Sequence, residues 1–82
     1  MIRYDLPSRP GPGVGAIPVR VTVFDLAGRS VATLVDQDQE PGAHSVVWPG
    51  TTDAGAPLPS GVYFYRIEAG ENVATRKMVI LK

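Results

Sequence analysis

Val19-Arg20-Val21-Thr22-Val23-Phe24-Asp25-Leu26-Ala27-Gly28 decides how this chain folds. Side chains alternate faces along a strand, so Val19, Val21 and Val23 share one face and Arg20, Thr22 and Phe24 the other. Residues 19–26 therefore read as a half-buried strand. Ala27-Gly28 supplies a turn, and residues 31–35 return as the next strand, which makes the pair a hairpin.

The rest of the chain repeats the theme on either side. Ile2, Tyr4 and Leu6 alternate with Arg3 and Asp5, giving a strand over residues 2–6. Residues 7–18 hold four prolines, which cannot donate to a sheet ladder, and read as a surface connection. Residues 36–42 read as a polar turn. A fourth strand covers residues 44–48, with Val46 and Trp48 facing one way and Val47 the other. Residues 49–60 are loop, carrying Gly50, Gly55, Pro57 and Pro59. Residues 61–69 form a long strand whose Tyr63, Tyr65 and Ile67 share a face, residues 70–72 turn it, and residues 73–81 form the last strand.

No window keeps a 3.6-residue apolar period over the length of a helix. Six strands, or seven if Leu58 joins an edge, joined by turns and without helices, predict an all-β fold. The expected architecture is an immunoglobulin-like antiparallel sandwich, with a six-stranded barrel as the alternative. Its core is expected at Val21, Val23, Trp48, Tyr63, Tyr65 and Ile67, since a small domain cannot leave its largest apolar groups in water.

Composition bounds the function. Eighty-two residues suffice for one domain, and 44% hydrophobic with 20% charged residues is globular usage. Eight basic and eight acidic side chains cancel, and no basic stripe with interleaved aromatics appears, so no nucleic-acid partner is expected. Without cysteine there is neither a disulfide framework nor a thiolate metal site. No stretch approaches the ~18 apolar residues of a membrane-spanning helix, and residues 1–6 lack the apolar core of a signal peptide.

Each candidate site has a plain alternative. Asp36, Asp38 and Glu40, with Asp53, form the only acidic group, but an EF-hand would need Gly where Pro41 stands and Glu where Val47 stands. A solvated hairpin tip is the expectation. His44 is the only histidine, which leaves no multi-histidine metal site, and it is expected to face solvent from a strand. Ser45 or Ser60 could complete a triad on paper, but no nucleophile elbow accompanies them. Gly11, Gly13 and Gly15 lack the strand and helix that a phosphate loop requires. No catalytic residue, cofactor or metal is expected. Phe64, opposite the two tyrosines, is a candidate for recognition, or packs under the proline-rich loop.

Six segments together carry a resemblance. They are Ile2-Arg3-Tyr4-Asp5-Leu6-Pro7, residues 21–29, residues 31–35, residues 42–48, Ser60-Gly61-Val62-Tyr63-Phe64-Tyr65-Arg66, and Lys77-Met78-Val79-Ile80-Leu81-Lys82. In this order and spacing the chain resembles the C-terminal sorting domain of type IX secretion cargo. That domain is related to the immunoglobulin-like domain of flagellar hook-cap proteins. The chain departs from the pattern at Pro49, where Asp is usual, and keeps only Asp53 of several loop acids. Its first loop is also longer than usual.

The resemblance implies a non-catalytic sorting or anchoring domain excised from a longer exported protein, spanning residues 1–82. It would direct cargo through the outer membrane to the cell surface by way of the periplasm. Its partners would be the outer-membrane secretion machinery and an upstream cargo domain, without membrane insertion. The element read by the translocon would be Lys77, Met78, Val79, Ile80, Leu81 and Lys82. Lysine at a sheet edge also serves simply to discourage strand addition. The alternatives are a structural assembly module of the hook-cap type and an accessory binding sandwich of a secreted enzyme.

Overall fold

The structure, a computed structural model, describes residues 2–6 and 15–81. They form β1 (Ile2–Leu6), β2 (Ile17–Phe24), β3 (Ser30–Gln39), β4 (Gly42–Val46), β5 (Gly61–Ala69) and β6 (Asn72–Ile80). No helix occurs among the described residues. β1 and β4 make a two-stranded sheet, and the order β3-β2-β5-β6 makes a four-stranded one, with every pairing antiparallel. The two sheets share an apolar layer, which makes an immunoglobulin-like antiparallel sandwich. The barrel alternative is excluded, because the larger sheet ends in β3 and β6 and does not close.

The valine alternation in β2 works as read: Val19, Val21 and Val23 are buried, the last two completely. Ile17 extends the same row, so the strand starts two residues earlier than expected. Pro18 is its exposed second residue, and the Pro18 carbonyl accepts from the Gly70 N–H at 2.9 Å. The prolines and glycines of residues 7–14 lie outside the described residues.

Other boundaries move as well. Residues 36–39, expected as turn, continue β3, where Arg20 faces Asp36 and Pro18 faces Asp38. Cross-strand partners, absent from a local reading, hold this polar stretch extended. β4 stops at Val46, so Trp48 lies just beyond its end, and Leu26 sits in the β2–β3 turn, 73% exposed. β6 starts one residue early, at Asn72.

The core has two parts under two different roofs. Ile2, Tyr4 and Leu6 of β1 cover one end, packing with Ile17, Val19, Val21, Val35 and Ala69. The other end holds Val23, Ala32 and Tyr63, with Trp48, Leu58, Met78 and Ile80 packed against them. Each such aliphatic or aromatic side chain contributes about 1.5–3 kcal/mol by leaving water. Of the expected core, Val21, Val23 and Tyr63 are buried, whereas Trp48, Tyr65 and Ile67 are half-buried.

Residues 49–59 supply the second roof. The Trp48 indole Nε1–H donates to the Thr51 carbonyl at 2.9 Å, and the Tyr63 hydroxyl donates to the Pro59 carbonyl at 2.8 Å. The two rings meet edge-on, with centroids 5.8 Å apart. Thr51 bridges Pro57, and the Leu58 N–H reaches the Gly50 carbonyl at 2.9 Å, so the loop folds on itself. Leu58 packs into the core and adds no seventh strand among the described residues.

Candidate protein-contact surface

β6 is an edge strand. It pairs with β5 at nine successive positions, Gly61↔Ile80 to Ala69↔Asn72, without a register shift. No strand pairs with its other edge among the described residues. Its inner row is Ala74, Arg76, Met78 and Ile80, and its outer row is Val73, Thr75, Lys77 and Val79. Met78 and Ile80 are half-buried, while Val73, Val79 and Leu81 are 62%, 55% and 87% exposed. Lys77 does not flank the strand but stands in its middle, opposite Phe64. Lys82 lies outside the described residues.

The outer face of the larger sheet continues inward from Lys77. Phe64 sits between Lys77 on β6 and Phe24 on β2. The Arg66 guanidinium lies 4.9 Å from the centre of the Phe24 ring and 3.0 Å from a Glu68 carboxylate oxygen. Such a cation held over a ring keeps Phe24 half-covered without a second layer. Phe64 is likewise half-buried on this face. An open hollow of about 300 Å³ lies between Phe24, Leu26, Phe64 and Thr75.

The acidic residues do not gather into a site. Asp36 faces Arg20 across the β2–β3 ladder, with nitrogen and oxygen 3.8 Å apart. Asp53 bonds to the opposite end of the same strand, at Val31 and Thr33. Among the described residues, no group of three His, Asp or Glu side chains is arranged to hold a metal ion.

His44 does not face solvent as expected. It is half-buried, stacks on the Tyr4 ring at 5.6 Å and places Nε2 2.6 Å from the Glu40 carbonyl oxygen. Pairing of β1 with β4 puts it opposite Tyr4. Ser45, the next residue on β4, turns to the other face, as strand geometry demands. Burial pushes the Tyr4 phenol upward in pKa, and its hydroxyl donates to Gln39 Oε1 at 2.5 Å.

The roles of two aspartates escaped the sequence reading, and both are architectural. The Asp53 N–H donates to the Val31 carbonyl at 3.3 Å, and its Oδ1 accepts from the Thr33 N–H at 2.9 Å. It thereby occupies backbone groups on the outer edge of β3. Asp25 holds the β2–β3 turn: its carboxylate accepts from the Arg29 backbone N–H at 2.9 Å and from Arg29 Nε at 3.2 Å. Gly28, at φ +88°, takes the left-handed position that the turn needs. The backbone bond from Arg29, aided by the guanidinium charge, lowers the Asp25 pKa. This support is present above the usual aspartate range and is lost as pH falls through the lowered value. A short acidic residue before Ala-Gly is a visible signal for such a turn.

The sequence model of the FlgD Ig-like domain family matches residues 15–72. That span contains β2, β3, β4 and β5 and reaches the first residue of β6. Neither a curated protein nor a solved structure matches the chain. The match bears on the hook-cap side of the resemblance and not on type IX secretion. With most of its length matched and the sandwich in place, the chain belongs to the FlgD Ig-like domain family.

Proposed function

We propose that the chain is a non-catalytic assembly module of the hook-cap type, joining a protein neighbour through the outer edge of β6. One observation carries this reading. Among the described residues, β6 offers nine residues of backbone paired on one side only, with Val73 and Val79 exposed along it and Leu81 just past its end. A free edge flanked by apolar side chains is what strand addition between proteins uses. Family membership supports a structural role for the fold, while function itself belongs to the exposed surface.

A second reading is a C-terminal sorting domain that directs exported cargo to the cell surface. It is favoured by the position of Lys77, Met78, Val79, Ile80 and Leu81, which lie on or just past this same edge strand. An edge strand can leave its sheet with the loss of a single ladder.

Val73→Asp with Val79→Asp in the native protein separates the two. Both side chains are exposed, so the melting temperature should stay near wild type. The assembly reading expects the protein to leave its assembled particle in size-exclusion chromatography while its location in fractionated cells is unchanged. The sorting reading expects accumulation in the periplasm. A variant unchanged in both measurements refutes the role of this edge.

A further inference from the structure

The two-stranded sheet is open on the β1 side among the described residues. β1 pairs with β4 along one edge, and no strand occupies its other edge among the described residues. That free edge borders a groove of about 340 Å³ whose lining includes Asp5 and Leu6 of β1, Tyr65 and Ile67 of β5, and Val73 and Arg76 of β6. No residue of β4 lines it, so it opens between β1 and the inner face of β5 and β6. Register sets its floor: Ile67 stands beside Ala74, and Tyr65 beside Arg76. Farther along β6, Met78 and Ile80 are half-buried in the Trp48–Leu58 part of the core, but Ala74 and Arg76 remain exposed. An inward-facing arginine on a sandwich strand is unusual unless a partner meets it. Among the described residues no carboxylate pairs with Arg76.

We propose that this groove receives an extended segment of another protein, which pairs with the free edge of β1 as a third strand and carries a carboxylate for Arg76. The physical case is additive. An added strand lies about 4.8 Å from β1, over β5 and β6. Backbone bonds to β1 give it affinity, and alternate side chains give it specificity. Of two inward side chains two residues apart, an apolar one covers Ile67 and Ala74, and an acidic one meets the guanidinium in a charge-assisted bond.

Charge selects against a second copy of this chain. Two-fold pairing through the groove would set β1 against β1, whose inward row Ile2, Tyr4 and Leu6 holds no carboxylate, and would bring two Arg76 side chains to one seam. The groove shares Val73 with the outer row of β6, so its test reads β1 and Arg76, which the assembly test leaves untouched.

The test titrates the isotope-labelled chain with a blocked peptide, Thr-Val-Thr-Glu-Thr-Val-Thr, and with its counterpart carrying Lys for Glu. Saturable amide shifts are expected at residues 2–6 and around Arg76. The Glu peptide should bind about fivefold more tightly than the Lys peptide, the scale of one exposed ion pair. Arg76 is exposed, so Arg76→Glu should fold normally and invert the preference. Shifts confined to Lys77 and Val79 or to β3, equal affinity for both peptides, or no saturable binding would overturn the proposal. So would concentration-dependent self-association abolished by Arg76→Glu.

Discussion

The two outer strands of the four-stranded sheet are guarded in opposite ways. β3 carries two register shifts against β2, between Val21 and Thr22 and between Val23 and Phe24. Its outer edge is also occupied in part by Asp53, through one donated and one accepted backbone bond. β6 is regular along nine pairs and has neither device. Sheets refuse further strands by bulges and covering groups, and also by charge. β6 keeps only that deterrent, in Arg76 and Lys77 at its middle. One edge is closed by geometry, whereas the other is closed only to strands of the wrong charge.

The contrast can be broken from the loop that closes β3. Tyr63→Ala removes the buried ring under residues 49–59 and the hydroxyl bond to Pro59, so the loop that presents Asp53 loses its support. The expected cost is about 3–5 kcal/mol, most of the stability of a small domain, read as a fall in the urea midpoint. A midpoint near wild type would show that the loop does not depend on this ring.

Asp53→Ala is a finer cut. It should cost about 1 kcal/mol and speed hydrogen exchange at the Thr33 amide, leaving β6 amides unaffected. Unchanged exchange at Thr33 would mean that the β3 edge is protected by its bulges alone. Smallest is Val79→Thr on the open edge, where stability should move by less than about 0.5 kcal/mol. A larger loss would show that Val79 is covered in solution and that β6 is not open there.

β2 and β5 were legible because their apolar rows keep period two against a buried partner. β3 was legible only in part. Strict alternation would put Val31, Thr33 and Val35 on one face, yet Ala32 and Val35 are the two buried residues. The two bulges leave Leu34 and Val31 without direct partners and so switch the inward parity. No local pattern announces that. β1 was visible as a strand, but its distant partner was not, which is why the solvent-facing expectation for His44 failed. The edge position of β6 was equally hidden, since strand order is set by long-range pairing.

The separation of β1 from β4 along the chain also has a consequence in time. β2–β3 and β5–β6 join strands that follow each other closely, whereas β1–β4 closes across both β2 and β3. Loop-closure entropy must be spent before distant contacts return anything, so local hairpins lead and distant pairs follow. We predict that β1 docks after both hairpins, with φ-values near zero at Ile2 and Leu6 and well above it at Val23 and Tyr65. Equal values at all four would refute that order. Until β1 arrives, the end of the core built on Ile17, Val19 and Val21 stands open on a hairpin that is already formed. During synthesis the chain would then pass through a state that displays this apolar surface, at the moment when a chaperone would find it.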